Sequence, residues 1–272
     1  TCTGLAVPVA QKFGAKNYSE MRKFVMNAAY LAIFLAVIMT IVTCALCGSI
    51  LTWMKTPNQF YQGAYDYLFV IFLGIPFTFL YNVVAGIIRS LGDSKTPFYF
   101  LVLSAVMNIF LDMLFIIVFK LGTAGAGWAT ILSQAISGVL CFRYMKKKYD
   151  ILKTNRQERR LDMHYIKTLF TMAVPMGLQF SITAIGSILL QSAVNTLGAV
   201  YVSAFAAATK VKQLAMCPYD GFATASATFG SQNLGAGNLK RIREGLKSGI
   251  IISVIYSIAI GIVLIFAGSK IA

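Results

Sequence analysis

Gln11-Lys12-Phe13-Gly14-Ala15-Lys16-Asn17 returns 221 positions later as Gln232-Asn233-Leu234-Gly235-Ala236-Gly237-Asn238, with Gln, Gly, Ala and Asn in register. Arg22 and Arg243 keep the same offset, and upstream Thr3 and Ala6 align with Thr224 and Ala227. Solenoid units repeat every 20 to 50 residues or so, far less than this. A repeat of this length, threaded through hydrophobic segments, is the mark of a duplicated membrane bundle.

Composition agrees. Apolar residues make up 58% of the 272, against roughly 45–50% in soluble domains. Seven stretches approach the ~20 apolar residues that cross a bilayer: Phe24–Ile50, Tyr65–Ser90, Pro97–Phe119, Ala124–Tyr144, Tyr165–Asn195, Ala199–Gly230 and Lys247–Ala267. The sixth is the weakest, rich in Ala, Ser and Thr and carrying Lys210, Lys212 and Asp220; its place in the repeat is what assigns it. The same offset makes Thr1–Ala10 the last part of a helix.

A net charge of +15 would suggest nucleic acid in a soluble protein. Here the charges sit in alternate loops. One side carries 19 Lys and Arg, nine of them between Arg143 and Lys167, and the other only Lys55, Lys120 and Lys270. The basic side is therefore cytoplasmic, no nucleic-acid partner is implied, and the Lys146–Arg160 run reads as a linker skimming anionic headgroups. Six complete spans separate the two copies of the repeated loop, so both copies are cytoplasmic and the halves are parallel repeats about an axis along the membrane normal. Residues 1–145 form a first lobe, 146–163 a cytoplasmic linker and 164–272 part of a second lobe. The expected fold is an all-α polytopic bundle.

Five cysteines include Cys44-Ala-Leu-Cys47, which has redox or zinc spacing. The single His, His164, is remote and zinc needs further ligands, so the cysteines read as small buried apolar residues. No catalytic triad, phosphate-binding glycine loop or metal-ligand cluster appears, so neither an enzyme nor an ATP-driven machine is expected, and no cofactor.

Of nine acidic residues only Asp112 and Asp220 fall well inside apolar spans. Such a group costs several kcal/mol unless it faces a cavity or a partner. Ser104, Asn108 and Asp112 recur every four residues, on one helical face. Thr130, Ser133, Gln134 and Ser137 form a stripe on the next helix, and Thr78 with Asn82 another on the helix before. These stripes describe either a polar cavity in the first bundle or interhelical hydrogen-bond glue. Asp112 lies about 22 Å along its helix from the cytoplasmic end, in the outer half of the bilayer. Asp220 follows Pro218, expected to kink its helix, and with Lys210 and Lys212 has two readings: a cleft between the halves, or a structural ion pair or vestibule. The doubled loop reads as a cytoplasmic turn, with Gly14 and Gly235 at helix C-termini and Asn17 with Glu20 as a capping box.

Pro76 interrupts a helix ending Gly86-Ile87-Ile88-Arg89-Ser90-Leu91-Gly92-Asp93-Ser94-Lys95-Thr96-Pro97. Asn108-Ile109-Phe110-Leu111-Asp112, Gly122-Thr123-Ala124-Gly125-Ala126-Gly127-Trp128-Ala129-Thr130 and Ser133-Gln134 follow. With the doubled Gln-x-x-Gly-Ala-x-Asn loop, these motifs resemble the multidrug and toxic compound extrusion (MATE) family, in its bacterial DinF-like branch, over helices 2 to 9 of its twelve. The resemblance implies two six-helix lobes, truncated here at both ends, in a monomeric multi-pass protein of the cell membrane that exports amphipathic or cationic organic molecules in exchange for H⁺ or Na⁺. It assigns Asn108, Asp112 and Thr130 to a cation site in the first lobe, which Asn82 joins from the neighbouring stripe, with any bound Na⁺ at Asp112. The family's acid on helix 1 has no counterpart in this chain, and where plant-type members carry an acid on helix 7 the chain offers Gln179 and Thr183. Those two, with Gln134, Lys212 and Asp220, are the candidates for the substrate cleft. The alternatives are a lipid-linked oligosaccharide flippase of the same superfamily, for which only Lys210 and Lys212 offer cleft cations, and a transport-dead structural fragment.

Overall fold

A computed structural model describes residues 2–54 and 58–271 of the chain. The described residues form nine α-helices: α1 (Cys2–Gly14), α2 (Tyr18–Trp53), α3 (Asn58–Leu73), α4 (Ile75–Ser90), α5 (Lys95–Asp112), α6 (Gly122–Lys148), α7 (Met163–Asn195), α8 (Ala199–Gly235) and α9 (Leu239–Ile271). A π-helical segment, Met113–Val118, continues α5, and a 3-10 turn, Asp150–Leu152, follows α6. Five helices are long and apolar enough to cross a membrane, and α3 with α4, bent by 43°, makes a sixth. The 37-residue α8 is long enough but too rich in Ala, Ser, Thr and Lys to stand among them.

The bend falls at Gly74, two residues before the Pro76 that marked it in the sequence. Proline here occupies the first turn of α4, where its missing N–H costs nothing. Glycine is needed because Ile131 of α6 packs into the gap: a Cβ on Gly74 would sit 2.4 Å from the Ile131 Cγ1.

The linker is shorter than the expected 146–163 and is docked. Lys146, Lys147 and Lys148 form the last turn of α6, where cations oppose the negative end of the helix dipole, and Asp162 caps α7 through the His164 amide at 2.9 Å. Between them Glu158, 5% exposed, receives Arg22 Nε at 2.8 Å and Nη2 at 2.6 Å. The Ser19 hydroxyl and the Asn155 amide also donate to it. Asn27, fully buried, donates to the Arg160 carbonyl and accepts from the Asp162 amide. The tightest packing lies at the helix ends nearest the linker: Leu5 and Val9 of α1, Met21 and Phe24 of α2, Ile88 of α4 and Leu169 of α7 are all buried. The far halves of α5, α7 and α9 stay apolar and exposed, as lipid-facing helices do.

The two copies of the repeated loop meet. A Cβ on Gly14 would lie 1.9 Å from the Gln232 carbonyl oxygen, and one on Gly235 would lie 1.8 Å from the Gln11 carbonyl oxygen. Gly14 and Gly235 are repeat equivalents, as are Gln11 and Gln232, so the contact is self-complementary, the signature of a two-fold axis. Farther from the turns, Thr3, Ala6 and Val7 share one crevice with Thr224, Ala227 and Thr228, their equivalents. The helices α1 and α8 thus run side by side in the same direction along that axis, as a parallel repeat requires.

Both turns close alike: the Asn17 amide reaches the Lys12 carbonyl at 3.0 Å, and the Asn238 amide the Asn233 carbonyl at 2.9 Å. Gly14 and Gly235 end α1 and α8 as expected, and the left-handed residue follows two positions later, Lys16 (φ 57°) in one copy and Gly237 (φ 69°) in the other. Gly14 and Gly235 also serve the close crossing. The capping box forms by half. Asn17 accepts from the Glu20 amide, but the Glu20 carboxylate turns to Lys23 and to the Tyr165 hydroxyl.

Candidate functional site

The polar stripes of the first bundle come together through α6. Asn108 Nδ2 donates to Thr130 Oγ1 at 3.4 Å, and Thr130 donates within its helix to the Ala126 carbonyl. One turn along α6, Gln134 Oε1 accepts from Thr78 Oγ1 of α4 at 2.5 Å. Asn82 Nδ2 bonds the Thr78 carbonyl at 2.8 Å, so it joins the Thr78–Gln134 pair and has no hydrogen bond to Asn108, Asp112 or Thr130. Ser133 and Ser137 are buried: Ser133 donates within α6 to the Thr130 carbonyl, and Ser137 donates to the Phe100 carbonyl of α5, a helix–helix bond.

Asp112 is the last residue of α5, at the junction with the π-helical Met113–Val118. A π-turn widens the helix and is frequent at functional positions. Asp112 Oδ1 is the single buried side-chain nitrogen or oxygen without a hydrogen-bond partner among the described residues. Leaving such a group unpaired costs a few kcal/mol, so an orphan of this kind is a place for a proton, ion or water.

The second-half candidates are arranged differently. Gln179 and Thr183 are exposed on α7, and the Thr183 hydroxyl is spent on the Gln179 carbonyl at 3.0 Å. Lys212 and Asp220 are exposed on α8, and neither forms an ion pair among the described residues. Gln134 bonds within the first bundle and joins none of these four.

One cation that the sequence marked only as a topology charge has a more central place. Arg89, in the last turn of α4, lines the axial crevice between α1 and α8 with Gly86, with no carboxylate partner among the described residues. Ser90 beside it donates to the Ala6 carbonyl at 2.9 Å, and Gln232 Nε2 of α8 donates to the Ser90 carbonyl at 2.8 Å. The signal in the sequence was the repeat itself, since Gln232 is one of its invariant positions.

The MatE family model matches residues 1–114 and 175–272, a stretch in each half. The chain belongs to the MatE family. It is therefore a multi-pass cell-membrane protein of a transporter family and not of an enzyme family, and that family needs no cofactor. Among curated relatives, it is 28% identical over 255 residues to the probable multidrug resistance protein YoeA of Bacillus subtilis, covering 91% of this chain and 55% of the relative. It is 36% identical over 194 residues to YpnP of the same organism, also a probable multidrug resistance protein, covering 71% and 43%. A solved MATE transporter of the MOP superfamily, described as outward-facing, superposes with a TM-score of 0.91 at 24% identity, over 100% of this chain and 60% of that one. The matched stretches thus span from 43% to 60% of the length of these proteins.

Proposed function

We propose that the protein is part of a secondary active antiporter that exports amphipathic or cationic organic molecules in exchange for inward H⁺ or Na⁺. Its lobes, residues 1–145 and 164–272 joined by the docked linker, rock about the axis on which α1 and α8 cross. The observation that carries the reading is the orphaned carboxylate oxygen of Asp112, at the π-turn and one helical turn from the Asn108–Thr130 hydrogen bond. A carboxylate in that position binds a cation or proton by direct attraction, and neutralising it removes the cost of burying charge. Occupation from outside therefore favours one packing of the first bundle, and release inside favours another. The names of the relatives, multidrug resistance and multidrug export proteins, support the substrate class.

The cytoplasmic contact of α1 and α8, with Gln232 reaching Ser90, closes the inner side and supports an outward-facing state. Opening inward requires that contact to part. On this reading the protein acts as a monomer, and Gln179, Thr183, Lys212 and Asp220 flank the cleft between the lobes.

The test is Asp112→Asn, carried in a protein of the relatives' length and reconstituted in proteoliposomes. Size and hydrogen bonding are nearly kept, while the charge is lost. Substrate binding should persist, and efflux driven by an imposed H⁺ or Na⁺ gradient should fall on the order of tenfold or more, the scale of a coupling free energy. Gradient-driven efflux at the unsubstituted rate, at matched expression, would overturn the assignment.

A further inference from the structure

A second site lies away from the axis. Between α2, α4 and the cytoplasmic end of α6 runs a groove of about 760 Å³. Its floor is apolar, with Ala29, Ile33 and Val37 on α2 and Phe79 and Val83 on α4, and Phe142 stands at its side. Its cytoplasmic mouth is different: Lys146, Lys153 and Arg159 line it there. Over α2 the groove extends from Val25 to Val37, about 18 Å at helical rise, close to the ~15 Å depth of one hydrocarbon leaflet.

The mouth is held in place by the docked linker. The Tyr30 hydroxyl donates to the Arg159 carbonyl at 2.9 Å, and the Arg159 guanidinium is fixed by the Thr154 hydroxyl at 2.9 Å and the Thr154 carbonyl at 3.3 Å. Lys153 pairs with Asp150 at 2.7 Å, with both side chains largely in solvent, a weak bond that an anion can replace. Lys146 has no ion pair among the described residues. The groove is therefore apolar within the inner leaflet and cationic at its headgroup level.

We infer that this groove binds an anionic phospholipid of the inner leaflet, with its acyl chains along α2 and α4 and its phosphate between Lys146, Lys153 and Arg159. Basic pockets between membrane helices on the cytoplasmic side bind such headgroups. Among the described residues the groove is open, bounded by α2, α4, the end of α6 and the linker. The inference is independent of the transport reading, because it concerns the lipid face of the bundle and its outcome does not depend on Asp112.

The chain, purified in non-ionic detergent and stripped of lipid, is titrated with phosphatidylglycerol or phosphatidylcholine of identical acyl chains, and one-to-one adducts are read by native mass spectrometry. Phosphatidylglycerol should bind about tenfold or more tightly, and the triple variant Lys146→Gln, Lys153→Gln, Arg159→Gln should abolish the preference. The control Lys147→Gln, Arg156→Gln, Arg160→Gln removes the same charge from the same segment outside the groove and should keep the preference. Ala29→Trp fills the groove without altering charge and should weaken both lipids. Equal binding of the two lipids, an equal loss in the control, unchanged binding by Ala29→Trp, or glycerol phosphate binding as tightly as the lipid would each overturn the inference.

Discussion

Glu158 shows what a single residue can do outside the membrane. The Arg22 guanidinium, bonded to it twice, outweighs the opposing effect of burial, and with the Asn155 amide and Ser19 hydroxyl holds its carboxyl at about 2, below the usual 4.5. A folded-state value below the unfolded one means stability that is present above about pH 5. It drains away as pH falls from 4.5 through 2. Glu158→Gln should lower the melting temperature at pH 7, reflecting about 2 kcal/mol for the lost charged hydrogen bonds. The gap to the unsubstituted protein should narrow below pH 4; a gap constant from pH 7 to 3 would mean that the ion pair contributes nothing. Asp93 behaves similarly: burial raises it, but the Thr96 amide and hydroxyl, the Tyr149 hydroxyl and Lys148 together bring it well below the carboxylate range. The sequence could not single out either acid, because a loop carboxylate looks alike whether solvated or docked. Asp112 stood out in the sequence for the opposite reason, being an acid set among Leu, Ile and Phe. Its orphaned oxygen and the π-turn after it were not legible, for both depend on how α5 meets its neighbours.

At the scale of elements the doubled loop was read correctly as a pair of matching turns with Gly14 and Gly235 at the helix C-termini; the left-handed residue lies two positions further on in each copy. Glycine at a helix end suggests a left-handed cap, yet the left-handed positions are Lys16 and Gly237, while Gly14 and Gly235 let two backbones cross. Only tertiary contact separates these uses. The distinction gives opposite expectations for two substitutions in one turn. Lys16→Gly relieves a conformation that disfavours a side chain and should leave the melting temperature unchanged or slightly higher. Gly14→Ala places a methyl against the Gln232 carbonyl, so α1 and α8 must move apart at a cost of about 1–3 kcal/mol. Spin labels at Ala15→Cys and Ala236→Cys should then report a longer and broader distance. An unchanged distance distribution in Gly14→Ala would show that the crossing is not tight in the membrane. The bend at Gly74 teaches the same lesson, because Pro76 marked the region and the packing of Ile131 chose the residue.

For the molecule as a whole, charge and repetition carried most of the information. The hydropathy of α8 alone leaves it ambiguous, and its equivalence to α1 resolves it, since the two helices meet through Gly14 and Gly235 at one end and share a crevice through Thr3, Ala6, Thr224 and Ala227 farther on, and so run in one direction. The asymmetry of 19 cations against three then orients everything else, because Lys and Arg flanking short loops are retained in the cytoplasm. What no pattern in one chain conveyed is how the lobes lean on each other, which rests on a few bonds such as Gln232 to Ser90. Orientation is open to direct measurement. Lys147, in the last turn of α6, and Lys240, in the first turn of α9, lie at one set of helix ends, Leu121 and Leu197 on the opposite connections, and all four are exposed. Single cysteines at these positions, in a background with the five native cysteines replaced, should divide cleanly under a membrane-impermeant maleimide added to intact cells. Leu121→Cys and Leu197→Cys should label from outside, while Lys147→Cys and Lys240→Cys should label only after the membrane is opened. If Lys147→Cys and Lys240→Cys labelled from opposite sides, an odd number of crossings would separate the repeats, and the parallel arrangement with its shared axis would fall.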